Sequence, residues 1–520
     1  MRARTRASTE ACLAVGLALG AAPGTGTAQC RAAATLDTIV IANAGVSGGG
    51  LTAALHIPTR PGVIRRTLLV RAGDCYDSAR VAESERALWE LGVFRAVRLD
   101  TVRLGPDGLL ALRVATADGW SARPVADYAR IGSHTTWEAG VFDANFLGTA
   151  SQLFASYRST PDRGSVALQY STRHLGFPGS IVWARYARLS NGRHAAWLVG
   201  LPFREAAARH SATLDGEAVE ERVLIFGERT SEAGSRARAV RLRATVAYAP
   251  HATSQGFVRL WAGARWRQEG WSPTVTDPYV VGTYTTVGAG LELATIRFRT
   301  TRRLNTYGRP EYVDLSPAVR VGIWAAWRAW GYRAERAGVG VELRTRVGAQ
   351  WPAGHAALQL NAWGGYAAGT LDSGQTRARV TVVTRRGGHT LIGHGEVGRM
   401  LGLRPPGAYD LWLEQRGPRL FAPHAFIGSS IWWTLVEDRV LVRESLAGLL
   451  GVGVAPFVEY ASARDPAGRE VAGGNAGLAV RLVPLRFAAS DVTEFAVGYR
   501  FGNATPQSGW GLGVRKGFWF

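Results

Sequence analysis

Lysine is nearly missing from this chain: Lys516 is the only one, although Lys and Arg together number 61 in 520 residues. The arginines are scattered rather than gathered into a stripe, which argues against a nucleic-acid surface, and no nucleic-acid partner is expected. Charged residues are also scarce, at 19% against about 25% in an average soluble protein. Disorder is excluded all the same, because 47% of the residues are apolar. Long hydrophobic runs are absent outside residues 11–28, and a spanning helix needs roughly 18 such residues, so a helical membrane protein is excluded as well. A chain of this length suggests more than one folding unit.

The exception, ACLAVGLALGAAPGTGTA, follows Arg2, Arg4 and Arg6 and ends in Gly26-Thr27-Ala28. A basic start, a short apolar core and a small-residue cleavage site describe a secretory leader over 1–28, with the mature chain starting at Gln29. Its removal takes away Cys12 and leaves Cys30 and Cys75 in an oxidising compartment, as a disulfide or as two unrelated thiols. The formal charge of +21 becomes +19 without the leader, and about +17 of it lies beyond residue 120.

Residues 29–120 mix helix and strand patterns. Asp77 is a candidate N-cap for a helix over 78–91 that would place Val81, Leu88 and Leu91 on one buried face. FRAVRLDTV and GLLALRVAT flank Gly105-Pro106-Asp107-Gly108 and predict a hairpin, completing a small α+β domain.

From residue 121 the period is two almost throughout. In 339–351, Val339, Val341, Leu343, Val347 and Trp351 alternate with Gly340, Glu342, Arg344, Arg346 and Gln350. A soluble sandwich alternates too. Strands that reach the roughly 9–11 residues needed to cross a bilayer, aromatic residues near strand ends and an exported chain favour a closed transmembrane antiparallel barrel over 121–520. At roughly 25 residues per strand and loop, about sixteen strands are expected, and an even number returns the chain to the side it entered.

RTLLVRAGDCYDSARVAESERALWELGVF resembles the POTRA module of the BamA/TamA outer-membrane assembly-factor superfamily, through Gly73-Asp74, Asp77, Glu85-Arg86 and Leu91-Gly92-Val93-Phe94. FDANFLGTA, with Asn145, Phe146, Leu147 and Gly148, resembles that family's barrel-start signature, and five candidate strands follow residue 424. The resemblance implies a long loop before those strands whose arginine enters the barrel and meets an acidic residue. Arg404 in Leu403-Arg404-Pro405-Pro406-Gly407 and Glu459 in Phe457-Val458-Glu459 occupy the matching places, with Pro405-Pro406 where the family has a flexible glycine. An Arg404 exposed on an outer loop is the alternative. The last strand ends in Phe518 and Phe520, which fit the terminal aromatic assembly signal of outer-membrane barrels.

Three other signals weigh less. TIVIANAGVSGGGLTAAL has Asn43 where a dinucleotide fingerprint needs its first glycine, and no βαβ series follows. Gly45-Val46-Ser47-Gly48-Gly49 matches a nucleophile elbow without an α/β sheet to present an acid and a histidine. His389 and His394 are five apart on a strand, which puts them on opposite faces. No cofactor, metal or catalytic set is therefore expected. The resemblance implies a non-enzymatic outer-membrane protein that inserts or translocates other polypeptides. Its partners would be outer-membrane lipids and unfolded polypeptides or periplasmic proteins met through the POTRA-like domain. A passive pore or structural barrel is the alternative.

Overall fold

The computed structural model describes residues 35–46, 56–131, 134–173, 179–225, 231–272, 280–307, 309–331, 338–367, 369–402, 408–412, 417–487, 492–504 and 509–516. The expected leader, Cys30, Arg404, Phe518 and Phe520 lie outside these residues, as does Ser47.

The first unit runs β1 (Thr38–Ala44), α1 (Pro61–Thr67), α2 (Ser78–Glu90), β2 (Phe94–Leu104) and β3 (Leu109–Asp118). Its sheet has the order β1-β3-β2, with β1 parallel and β2 antiparallel to β3, so among the described residues β2 keeps one free edge. Asp77 caps α2 by accepting from the backbone N–H groups of Ala79 and Arg80 at 2.8 and 3.2 Å. Val81, Leu88 and Leu91 are buried against Leu112 and Val114 of the central strand, as the helical spacing predicts. Cys75 is disulfide-bonded.

The rest is one closed antiparallel wall. Its first ten strands are β4 (Ala122–Ile131), β5 (His134–Phe146), β6 (Ser151–Ser159), β7 (Gly164–Arg173), β8 (Ile181–Leu189), β9 (Gly192–Leu201), β10 (His210–Ile225), β11 (Ser231–Thr253), β12 (Gly256–Ser272) and β13 (Val280–Thr295). A hairpin, β14 (Phe298–Thr301) and β15 (Glu311–Asp314), leaves the wall, which resumes with β16 (Ala318–Ala326), β17 (Gly338–Trp351), β18 (Gly354–Ala367), β19 (Thr370–Arg386) and β20 (His389–Leu401). A long loop holds the two-residue strands β21 (Tyr409–Asp410) and β22 (Ile427–Gly428). Five strands close the ring: β23 (Ser430–Leu446), β24 (Leu450–Arg464), β25 (Glu470–Pro484), β26 (Thr493–Gly502) and β27 (Gly509–Lys516).

The wall thus has 20 strands where sixteen were expected. The excess has a simple cause: turns such as Ser190-Asn191, Pro352-Ala353 and Gly387-Gly388 are two residues long, so a strand and its connection use fewer residues than assumed. The five final strands stand where the sequence put them.

Alternation sorts the faces. Val339, Val341 and Val347 of β17 lie on the outer surface, 44–54% exposed. Between them Glu342 points inward and meets Arg265 at 3.2 Å and the Trp324 indole N–H at 2.9 Å. Each neighbouring pair of wall strands is hydrogen-bonded. The ring closes where β27 pairs with β4. β27 is short, and Pro124 of β4 has no N–H to give.

Candidate functional site: an inward loop held by a buried ion cluster

The inner face of the last strands is unusual for a barrel. On β23, Ile431, Trp433 and Leu435 face inward and are buried, followed by the equally buried Glu437 and Arg439. Opposite them β24 to β26 present small residues, Ala455, Ala461, Ala479 and Ala496, which leave room for a second layer. The loop between β20 and β23 fills that room with Tyr409, Leu411, Leu420, Phe421 and Phe426, forming a hydrophobic core inside the ring. The Tyr409 hydroxyl donates to the Thr376 carbonyl at 2.8 Å, fastening the loop to the β19 side as well.

Arg419 is the centre of this arrangement. Its guanidinium is fully buried and ion-pairs with Glu437 of β23, with Glu459 of β24 at 3.3 Å and with Glu494 of β26 at 3.8 Å. Its backbone N–H donates to Glu459 at 2.7 Å, and its guanidinium lies 4.1 Å from the centre of the Phe457 ring. Asn475 of β25, its amide oriented to complement these neighbours, donates to Glu459 at 3.0 Å. The same three carboxylates serve three wall arginines. Arg439 meets Glu437 at 2.5 Å, Arg481 meets Glu437 at 3.1 Å and Glu494 at 2.6 Å, and Arg515 of β27 lies 3.5 Å from Glu494 and 3.8 Å from Glu459. Buried pairs of this kind impose one geometry more than they add stability, because each charge forfeits hydration. The cluster joins the loop to all five closing strands, β23 through Glu437 and Arg439, β24 through Glu459, β25 through Arg481, β26 through Glu494 and β27 through Arg515.

Glu459 is therefore inside the ring, and the arginine it faces is Arg419. Arg404, the arginine proposed from the sequence, lies outside the described residues. The signal for Arg419 was local: Gly417-Pro418-Arg419-Leu420-Phe421 sets an arginine directly before two apolar residues within a polar loop. At the end of the ring away from the α+β unit, His424 pins the loop to the β6–β7 turn. Its Nε2 lies 2.9 Å from Asp162 and its Nδ1 contacts Asp410, with Trp412 stacked edge-on. Burial alone would lower the His424 pKa, but the hydrogen bonds to Asp162 and Asp410 outweigh it and lift the imidazole to about 9.

The opposite mouth carries the α+β unit. Arg80 pairs with Glu205 at 3.0 Å, Glu83 accepts from the Ala206 N–H at 3.0 Å and Ser254 donates to Asp77 at 2.9 Å. The residues Asn145, Phe146, Leu147 and Gly148 form the first turn at this mouth. Asn145 is buried and donates to the Ile57 carbonyl at 3.1 Å and to Thr59 at 3.0 Å, while its own carbonyl accepts from the Ala150 N–H at 2.8 Å. Gly148 takes a φ of +72°, and a Cβ there would sit 2.6 Å from the Pro58 carbonyl. The motif thus fastens segment 56–60 to the wall, whereas Phe146 and Leu147 are themselves exposed.

No protein-family model matches the chain, and no curated protein matches it. Solved structures similar to it include BamA from Haemophilus ducreyi lacking POTRA domains 1–3, at 10% identity over 92% of this chain and 84% of that one, with a TM-score of 0.37. CdiB from Escherichia coli is similar at 10% identity over 95% and 92%, TM-score 0.40. The FrpB iron transporter from Neisseria meningitidis is similar at 9% identity over 92% and 90%, TM-score 0.41. At such identity the likeness is one of barrel architecture alone.

Proposed function

We propose that this chain is a non-enzymatic outer-membrane barrel that inserts or translocates other polypeptides, with the α+β unit acting as a POTRA-like periplasmic receiver. The reading rests on the loop held by Arg419 inside the ring, beside the point where the ring closes. An element anchored through an ion cluster that spans β23 to β27 stiffens the closing strands as one block. The adjoining closure pairs β4 with β27, which at eight residues is the shortest described strand of the wall, so parting these two edges would cost fewer hydrogen bonds than parting the longer ladders. The order βααββ and the free edge of β2 suit a module that receives an extended chain by β-augmentation. The outer belt of Val141, Val166, Ile323, Val436 and Leu512 suits a lipid environment.

The alternative, a passive anion-favouring pore, draws on Arg241, Arg265 and Arg320 on the far inner wall, each matched with a glutamate. Depletion in the native host separates the readings. Loss of other barrel proteins from the surface supports polypeptide handling. Unchanged surface levels together with a steady conductance in planar bilayers would establish the pore. Recovery as a soluble periplasmic protein would end both.

A further inference from the structure

The β14–β15 hairpin has no role in closing the wall, yet it touches both functional regions. At its base Phe298 lies under the Arg86 guanidinium of α2, 4.2 Å from ring centre to cation, and the Tyr312 hydroxyl donates to Glu85 at 3.2 Å. At its tip Arg439 donates to the Leu304 carbonyl and to Asn305 at 3.0 Å, and Arg439 is also the partner of Glu437, which holds Arg419. The tip is kept compact by Glu311, whose carboxylate accepts from the backbone N–H groups of Leu304, Asn305 and Thr306 at 2.9–3.2 Å. An unbroken chain of contacts therefore runs from α2, through the hairpin, to the ion cluster and the inward loop.

The base of the hairpin also borders open space. A cavity of about 590 Å³ is bounded by α2, by the hairpin face bearing Phe298, Thr300 and Tyr312, and by Arg95, Ala96 and Val97 at the start of β2. Those last three residues belong to the strand whose edge is free. Three arginines, Arg86, Arg95 and Arg302, stand against one glutamate, Glu85, so the cavity is net cationic.

We infer that this cavity is a docking groove for an extended, acidic polypeptide segment paired to β2, and that the hairpin forming its third wall transmits occupancy to the Arg419 loop. The inference rests on the function proposed above and adds the charge of the segment and the element that senses it. A segment lying on β2 meets Phe298 and Tyr312, and moving them shifts Leu304 and Asn305 on Arg439. Arg439 and Arg419 share Glu437, so the shift loosens the anchor of the inward loop.

The test uses the full chain in detergent micelles and a fluorescein-labelled twelve-residue peptide of alternating valine and glutamate. Binding is read by fluorescence polarisation and loosening of the loop by trypsin cleavage after Arg419. Saturating peptide should raise cleavage of the native chain at least fivefold, and a valine–lysine peptide should bind at least tenfold more weakly. The double variant N305A/E311A, which loosens the hairpin tip from Arg439 without touching the cavity lining, should still bind the peptide within a few-fold, yet show no rise in cleavage. Absence of binding would overturn both the groove and the receiver role of the α+β unit. Binding with unchanged cleavage, or an equal rise in the double variant, would overturn the transmission alone, and equal affinity for the two peptides would overturn the choice of an acidic segment.

Discussion

The ion cluster makes an uneven prediction that a plain count of broken contacts would miss. Four guanidiniums, Arg419, Arg439, Arg481 and Arg515, share three carboxylates, Glu437, Glu459 and Glu494. R419A leaves three of each sign, so every remaining charge keeps a partner. The loss is then that of charge-assisted hydrogen bonds and the Phe457 contact, about 2–3 kcal/mol. E437A leaves four cations on two carboxylates and takes the main partner from Arg439. Burying a charge without its partner costs about 3–5 kcal/mol, so E437A should be clearly the worse of the two, although Arg419 is the hub. The assay is the temperature at which the folded form loses its fast gel migration in micelles, measured for R419A, E437A and the double variant. R419A/E437A should recover part of the E437A deficit by restoring three cations to two anions. The charge-balance reasoning is refuted if R419A melts at or below E437A, or if the double variant is the least stable of the three.

Other perturbations follow from the same geometry. L88A empties a fully buried position under α2 and should cost the α+β unit about 2–5 kcal/mol, read by faster hydrogen exchange in 78–118 of the full chain. N145A removes a buried side chain that makes three hydrogen bonds and should cost about 1–3 kcal/mol, with earlier proteolysis within 56–60 as its sign. The folded His424 pKa of about 9 lies above the ordinary imidazole value. Its clasp to Asp162 and Asp410 is therefore fully present below about pH 6.5 and is lost as pH rises through 9. Protease sensitivity of the inward loop should climb between pH 8 and 10 in the native chain and stay flat with pH in H424N.

Where one physical constraint dominated, the sequence was easy to read. The alternation in 339–351 assigned each β17 side chain to its face, because lipid-suited and interior surfaces differ in polarity at every second residue. The capped helix at Asp77 was legible for a similar reason: its signals are local. Strand number was not, since two-residue turns and strand lengths from 8 to 23 residues have no fixed repeat. The meeting of Arg419 with Glu459 depends on how a loop folds through space, which local sequence does not record. The β14–β15 hairpin left still less trace, because its strands have four residues each and their contacts lie far away in the chain.

The core inside the ring also constrains the order of assembly. Tyr409, Leu411, Leu420, Phe421 and Phe426 are enclosed by a wall on which Arg515, from the last strand, completes the ion cluster. Carrying Arg419 down a closed interior would strip its hydration before any carboxylate was reached. The wedge must settle on β23 to β26 while the sheet is still an open crescent, with β27 arriving afterwards as a latch. Assembly thus has a built-in checkpoint: a chain whose wedge is misplaced cannot seat its final strand and stays open.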